Sequence, residues 1–324
     1  MRFGIIGCGA IARQCHGPAL RNVPGSTIVG AFDRDAAAAT AFAGEHGCEA
    51  LPLETLLEHC DIAVIATPPD THAPLVESAL NAGRSVFVEK PFVIHHSDAV
   101  RLTAMARTRG LGLYVGHLRR FRSGVTLVRR LVDLGVIGSL VRAEAFEGSR
   151  FGWGTASGYV RQDPHGGVLY DTGSHTLDLV LHASGWETTE SESESEVEVK
   201  VASVIRDKTE PSHEVEARFE LSANRGTLGV QLKLSRYRPL ANLVRLIGEK
   251  GRLEFEVGFQ ESVMLTTPAG SVRLLPDAGP TPFEHCFAAQ YRSLLEEGPA
   301  SRLNADRFVT LTRVLEALHG HGGR

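Results

Sequence analysis

The sequence is poor in the features that mark secreted, membrane-spanning and nucleic-acid-binding proteins. It has five cysteines in 324 residues and no Cys-x-x-Cys pair, which argues against a disulfide framework and a thiolate zinc site. No apolar run approaches the roughly 18 residues that span a bilayer, and no cleavage site follows the first apolar residues. A net charge of −4 gives no electrostatic reason to expect nucleic acid or an anionic membrane as a partner. We therefore expect a cytoplasmic globular protein without a bound metal.

Two widespread catalytic motifs are also absent. The chain has neither a Gly-x-Ser-x-Gly nucleophile elbow nor a Walker-type phosphate loop ending in Gly-Lys-Ser/Thr. What it has is a 43% share of apolar residues and a length that suggests two domains. The acidic, low-complexity stretch 187–196 is interpreted as a solvated loop.

The most informative stretch is an apolar strand that breaks at once into the glycine-containing turn Gly7-Cys8-Gly9-Ala10-Ile11-Ala12. Here Gly7 permits a tight turn, Gly9 lets the backbone approach a pyrophosphate, and Ala12 lets the next helix pack on the strand. The free N–H groups at the start of that helix would face the phosphates. This pattern predicts a dinucleotide site.

A second strand ends at Asp33, about 20 residues past the glycines, where a carboxylate can accept hydrogen bonds from both ribose hydroxyls. Its charge would also repel a 2′-phosphate, which favours NAD over NADP. The neighbouring Arg34 could stack on adenine or, in another rotamer, meet a 2′-phosphate.

Short apolar strands alternate with helical segments through residue 118, which is typical of a doubly wound α/β domain with a parallel sheet. The predicted strands are 2–6, 27–32, 62–66, 85–88 and 112–115. We assign 1–118 to a Rossmann dinucleotide-binding domain.

A different pattern occupies 119–324, which we assign to a second α/β domain for substrate binding and oligomer contacts. Helices are predicted at 123–134 and 172–184, and a strand at 139–147. Period-two alternation then predicts a large open, mostly antiparallel sheet, with strands near 197–201, 214–221, 227–234, 243–247 and 252–257. Two last helical segments, 283–295 and 305–319, could pack back across the first domain.

Two segments follow strands of the parallel sheet, at the edge where open α/β sheets bind ligands. One is Thr67-Pro68-Pro69-Asp70-Thr71-His72, which suits a cofactor contact and equally a simple proline turn. The other is Glu89-Lys90-Pro91, which places an amine at the mouth of the crevice, with a proline that fixes the backbone. The Lys90-Pro91 bond is expected to be cis.

A polar stripe occupies one face of the helix predicted at 172–184. Asp171, His175, Asp178 and His182 recur at spacings of four, three and four residues. Carboxylates and imidazoles on one face suit general acid–base chemistry, with Asp171 one turn from His175. A solvated surface and a set of metal ligands are the alternative interpretations.

Taken together, these motifs resemble those of the glucose-fructose oxidoreductase, inositol dehydrogenase and rhizopine-catabolism oxidoreductases, over essentially the whole chain. They stand in the family's order and at its spacing: Gly7-Cys8-Gly9-Ala10-Ile11-Ala12, Asp33-Arg34, Thr67-Pro68-Pro69 with His72, Glu89-Lys90-Pro91, and Gly166-Gly167 followed by Asp171-x-Gly173-x-His175-x-x-Asp178. The resemblance implies a Rossmann domain and a second domain whose open sheet often makes oligomer contacts. It also implies that Lys90, Asp171 and His175 act on a sugar or cyclitol hydroxyl.

The prediction is thus an NAD(P)-dependent oxidoreductase that moves a hydride between the nicotinamide and a carbon bearing a secondary hydroxyl. His175 would be the base, Lys90 would stabilise the alkoxide and Asp171 would orient the imidazole. Which of Lys90 and His175 holds the transferred proton is left open. A homodimer or homotetramer is expected. The alternatives are a non-catalytic nucleotide sensor or scaffold, and a metal-dependent lyase with ligands around His175 and Asp178.

Two residue sets complete the predicted site. The cofactor set comprises Gly7, Gly9, Ala10, Ile11, Ala12, Asp33, Arg34, Thr67, Pro68, Pro69, His72, Glu89 and Lys90. The substrate set comprises Lys90, Arg119, Trp153, Asp171 and His175. Arg119 is included because a cluster of arginines could meet a substrate carboxylate or a nucleotide-sugar diphosphate.

Overall fold

The computed structural model describes residues 1–150, 152, 165–187, 197–209, 211–258, 261–277, 279 and 281–321. These residues form two compact units. The first unit contains Met1–Leu118 and Glu284–Asp306, and the second contains the other described residues between 119 and 283 and those after 306. Within the described ranges, no helix is both long and apolar enough to cross a bilayer.

A six-stranded parallel sheet forms the centre of the first unit, in the order β3-β2-β1-β4-β5-β6. Its strands are β1 (Arg2–Ile6), β2 (Thr27–Phe32), β3 (Glu49–Ala50), β4 (Ile62–Ile65), β5 (Ser85–Glu89) and β6 (Leu113–Gly116). The predicted doubly wound sheet is confirmed. The strand order reverses between β1 and β4, and such a switch point creates a ligand crevice at the carboxyl ends of the strands. β3 was not predicted, because two residues are too few to show a periodicity.

Helices cover this sheet, because central strands such as β4 and β6 are buried along their whole length. They are α1 (Gly17–Arg21), preceded by a π-helical turn at Ala12–His16, α2 (Ala36–His46), α3 (Leu53–His59), α4 (His72–Asn81) and α5 (His96–Thr108). A later helix, α8 (Phe283–Glu297), also contributes to the core of this unit. Its Tyr291 ring stacks on Phe87 with centroids 5.1 Å apart and meets Phe3 edge-on at 5.5 Å.

The second unit contains an eight-stranded sheet in the order β14-β13-β12-β11-β7-β10-β9-β8. Its strands are β7 (Leu140–Gly148), β8 (Glu198–Arg206), β9 (Glu214–Ala223), β10 (Gly226–Ser235), β11 (Leu243–Gly248), β12 (Arg252–Glu256), β13 (Val263–Thr267) and β14 (Gly270–Leu274). Neighbours are antiparallel except β7 and β10, which are parallel. The predicted large, mostly antiparallel sheet is confirmed, although β13 and β14 were missed because each has only five residues.

Three helices of this unit pack on the sheet: α6 (Ser123–Asp133), α7 (Ser174–Ser184) and α9 (Val309–Gly320). The opposite face carries ion pairs. Arg245 on β11 contacts Glu144 and Glu254, each at 2.6 Å, and Lys233 on β10 lies 3.0 Å from Glu216. The alternation thus places charged residues on the face opposite these helices.

Candidate active site

The glycine turn after β1 has the geometry that a pyrophosphate needs. Gly7 has φ +94°, and a Cβ there would lie 2.7 Å from Ala66 O, so only glycine fits. The Gly7 N–H donates to Phe32 O at 2.8 Å, which joins the turn to the end of β2. A Cβ on the exposed Gly9 would meet nothing within 4 Å, so the backbone there is open to a ligand. These residues fit a dinucleotide.

Asp33 stands at the carboxyl end of β2, next to that turn. One carboxylate oxygen accepts from the Cys8 N–H at 2.8 Å and the other from the Asp35 N–H at 2.9 Å. Each oxygen keeps a second lone pair for a ribose hydroxyl. Burial, together with the charge of Asp33, raises the pKa of the Cys8 thiol to about 12, so Cys8 is not a thiolate nucleophile. Arg34 is exposed.

The segment after β4 is tied to the segment after β5 by His72. This side chain is fully buried, with Nδ1 2.9 Å from Pro91 O and Nε2 2.9 Å from Thr67 O. Burial lowers its pKa, although the carbonyl oxygens oppose the effect. His72 was predicted as a cofactor contact, and the structure shows that its ring joins the two loops through their carbonyl oxygens.

Lys90 follows β5 at the same edge of the sheet as the glycine turn and Asp33. The Lys90-Pro91 peptide bond is cis, as predicted. Lys90 is half-buried, whereas the preceding Glu89 is buried and its Oε2 accepts the Lys90 N–H at 3.1 Å. The carboxylate of Glu89 thus supports the backbone of Lys90.

In the second unit, Asp171 lies in a π-helical turn, Leu169–Gly173, that leads into α7. Arg236, at the end of β10, donates from Nη2 to Asp171 Oδ2 at 2.6 Å and from Nη1 to Gly166 O at 3.1 Å. The Arg236 side chain is 3% exposed, against 24% for Asp171. A buried guanidinium therefore orients a carboxylate that solvent still reaches. Arg236 was not predicted from the sequence, because no local pattern pairs it with a residue 65 positions away.

The predicted polar stripe divides into two halves. Asp171 and His175 are half-buried, whereas Asp178 and His182 are buried. Arg120 donates to Asp178 Oδ1 at 2.6 Å, so this carboxylate is held in a buried ion pair. Asp178 and His182 therefore belong to the packed interior.

Glu187 completes this buried ion network. Its Oε2 lies 2.9 Å from Arg120 Nη1 and 3.1 Å from His182 Nδ1. Burial alone would raise the pKa of Glu187, but the charge of Arg120 and the His182 contact lower it to about 2. Glu187 was predicted to begin a solvated loop, yet it is 2% exposed. The rest of that stretch, 188–196, lies outside the described residues.

Arg119, which was predicted to bind substrate, forms a bidentate ion pair with Glu147, in which both N–O distances are 2.8 Å. Thr176 on α7 also donates to Glu147. The Glu147 carboxylate on β7 therefore sets the position of the Arg119 side chain. The other predicted substrate contact, Trp153, lies outside the described residues.

Comparisons with known proteins agree with this architecture. Residues 1–117 match the model of the oxidoreductase family with an NAD-binding Rossmann fold, and residues 125–254 match the GFO/IDH/MocA C-terminal domain. The chain is 37% identical over 191 residues to dTDP-3,4-didehydro-2,6-dideoxy-alpha-D-glucose 3-reductase of Streptomyces antibioticus, covering 57% of each chain. It is 33% identical over 192 residues to inositol 2-dehydrogenase of Rhizobium meliloti, covering 58% of this chain and 56% of the relative.

These matches span a little over half the length of the curated relatives. Among solved structures, UDP-N-acetylglucosamine 3-dehydrogenase of Acidithiobacillus ferrooxidans superposes with a TM-score of 0.75 at 24% identity, over 98% of this chain and 99% of that one. Aldose-aldose oxidoreductase of Caulobacter crescentus gives a TM-score of 0.80 at 20% identity, over 98% and 96% of the two chains. At such identities the likeness shows the fold. With its two domain matches, the protein belongs to the GFO/IDH/MocA oxidoreductase family, and residues 1–117 are its NAD-binding Rossmann domain.

Proposed function

We propose that this protein is an NAD-dependent oxidoreductase that interconverts a secondary hydroxyl and a keto group on a sugar, a sugar derivative or a cyclitol. The observation that carries the proposal is the position of Lys90. It follows β5 at the carboxyl edge of the parallel sheet, the edge that also bears the open Gly9 backbone and Asp33. The named relatives that act on nucleotide sugars and inositol support the substrate class.

The proposed chemistry assigns one task to each side chain. NAD, when bound, supplies the acceptor for the hydride that leaves the substrate carbon. His175 takes the proton of the hydroxyl group on its imidazole as the C–H bond breaks and the carbonyl forms. Lys90 Nζ stabilises the developing negative charge on the substrate oxygen. Asp171, oriented by Arg236, sets the tautomer and charge of the imidazole.

The cofactor contacts are proposed residue by residue. Gly7, Gly9, Ala10, Ile11 and Ala12 would form the pyrophosphate cradle. The Thr67-Pro68-Pro69 turn and Glu89 would shape the nicotinamide side of the crevice. Asp33 and Arg34 would meet the adenosine ribose, and the charge of Asp33 disfavours NADP.

The test is a screen of purified protein with NAD or NADP against aldoses, inositols, nucleotide sugars and their keto forms, followed by nicotinamide absorbance. We expect turnover with at least one of these classes. His175→Ala should lower kcat about a hundredfold or more and Lys90→Met at least as much, both with NAD binding retained. Asp171→Asn should be damaging while leaving the base in place. Tight NAD binding without turnover on any compound would instead support a non-catalytic sensor.

We also propose a homodimer or homotetramer that uses the face of the eight-stranded sheet opposite α6, α7 and α9. Support comes from the ion pairs between neighbouring strands on that face, including that of Arg245 with Glu144. A cytoplasmic location is part of the same proposal and is supported by five cysteines that are all free.

A further inference from the structure

A chain of polar groups runs through the apolar core of the first unit and ends at Lys90. The hydroxyl of Tyr291 on α8 lies 2.7 Å from His16 Nδ1. His16 Nε2 lies 2.9 Å from Glu89 Oε1, and Glu89 Oε2 accepts the Lys90 N–H at 3.1 Å. Both His16 and Tyr291 are fully buried.

Aromatic rings surround this chain. The His16 ring meets Phe87 and Phe287 edge-on, with centroids 5.7 and 5.5 Å away. Placing a carboxylate and an imidazole among such rings costs free energy unless each polar atom has a partner. Well-packed apolar residues would often be as stable there, so the retained polar chain points to a specific role.

The proton positions follow from the environment. Burial, reinforced by the charge of Glu89, raises the pKa of Tyr291 well above its usual range, so its hydroxyl keeps its proton and can donate to His16 Nδ1. The Tyr291 hydroxyl thus contacts His16 at Nδ1, while Nε2 faces Glu89. Burial would raise the pKa of Glu89, but His16 and Lys90 lower it below the ordinary glutamate value. Glu89 is thus an ionised carboxylate.

The carboxylate of Glu89 has little freedom to move. Glu89 pairs with Gly116 on β6, and a Cβ at Gly116 would lie only 3.0 Å from Glu89 Oε1. The glycine thus leaves the space that the carboxylate occupies, while His16 and the Lys90 N–H hold its two oxygens. A change at His16 would therefore be transmitted to the backbone of Lys90.

His16 also belongs to the segment that starts at the glycine turn. It is the last residue of the π-helical turn Ala12–His16, and such turns recur at functional sites. The buried side chain of His16 therefore joins the segment that follows the glycine turn to Glu89, next to Lys90.

We propose that His16, backed by Tyr291, is a positioning residue that fixes Lys90 through the carboxylate of Glu89. The effect on turnover rests on the proposed function, but the effect on the Lys90 backbone does not. Neither His16 nor Tyr291 touches the reacting atoms in this scheme.

The first test measures hydrogen exchange of the Lys90 amide, resolved by NMR or by fragmentation mass spectrometry. Tyr291→Phe keeps the buried ring but removes the hydroxyl that holds His16 Nδ1, so the Lys90 amide should exchange about tenfold faster. Tyr114→Phe is the matched control, because Tyr114 is a nearly buried tyrosine on the neighbouring β6. Equal exchange at Lys90 in the wild type and Tyr291→Phe would overturn the proposal, whether or not a substrate is known.

The second test uses turnover of whichever compound the screen identifies. Tyr291→Phe should lower kcat about tenfold or more with KM and NAD affinity nearly unchanged, because a small misplacement of Lys90 is costly. His16→Gln, whose amide can still donate to Glu89, should retain more activity than His16→Leu. In a Lys90→Met background, Tyr291→Phe should have no further effect. If the losses in kcat from the two substitutions instead multiplied, Tyr291 would have a general structural role, and the proposal would be contradicted.

Discussion

Arg236 orients the carboxylate of Asp171 and also donates to Gly166 O. Arg236→Gln should lower kcat about tenfold, because an unrestrained Asp171 no longer orients His175. The affinity for NAD should be unchanged. Steady-state kinetics and cofactor titration measure the two quantities separately.

The control for this variant lies two residues further along the chain. Arg238 is 56% exposed and pairs with Glu214, so Arg238→Gln should leave kcat within about twofold of wild type, as expected for an exposed pair. If both arginine variants lost activity equally, the special role of Arg236 would be refuted.

Asp33 determines the expected cofactor preference. Its charge lies at the end of β2 beside the glycine turn, where a 2′-phosphate would be repelled. We expect tighter binding of NAD than of NADP in calorimetric titrations. Asp33→Asn removes the charge but keeps one acceptor, and it should narrow the difference between the two affinities. Tighter binding of NADP to the wild type would contradict the assignment.

Among the helices, α7 and the π-helical turn before it carry His175 and Asp171 at one end, and the buried Asp178 and His182 anchor α7 further along. Its anchor depends on charge, since the pKa of Glu187 is lowered from 4.5 to about 2 in the folded protein. A depressed carboxylate pKa stabilises the fold above the unfolded value, and the contribution is lost as the pH falls from about 5 towards 2.

Glu187→Gln should therefore lower the Tm at pH 7 by roughly 5–10 °C, because it leaves Arg120 buried without its full charge partner. Between pH 7 and pH 3 the variant should lose less stability than the wild type. Circular dichroism melts at both pH values measure this. The control is Asp133→Asn on α6, where the partner of Arg129 is 55% exposed, and there the Tm should hardly change. A parallel loss with pH in wild type and Glu187→Gln would count against the mechanism.

Element positions were predictable wherever the pattern was long enough. The strands of the parallel sheet and the helix over 123–134 appear within one or two residues of their predicted ends. The exceptions have physical causes: β3 has two residues, and β13 and β14 are five-residue segments that pair with each other at the sheet edge. The stripe on α7 was predicted correctly as a spacing. Which half faces solvent depends on Arg120, which the helix pattern does not contain.

At the scale of the whole molecule, the proposed mechanism requires Lys90 of the first unit to act with Asp171 and His175 of the second. This is a prediction from the family resemblance. A crystal structure of a closed NAD complex would test it, with the Lys90 and His175 side chains expected within about 10 Å of the nicotinamide, so that a substrate hydroxyl beside the ring lies within hydrogen-bond reach of both. Longer distances in such a complex would refute the mechanism.

The oligomeric state of the protein is also a prediction. The ion pairs of Arg245 and Glu144 on the uncovered sheet face favour a polar interface, so raising the salt concentration should weaken the oligomer. Light scattering at micromolar concentration, at low and high salt, is the measurement. A monomer at low salt would exclude the proposed homodimer or homotetramer.

Features encoded in short stretches could be predicted from the sequence alone. The glycine turn that begins at Gly7 and the apolar pattern of each long strand are of this kind. The pairing of distant polar groups could not be predicted, because it depends on how the chain folds. Arg120 with Asp178, Arg236 with Asp171, and Tyr291 with His16 are pairs separated by 58, 65 and 275 residues. Such pairs form because folding buries their charges and hydroxyls together, and no local periodicity records that outcome.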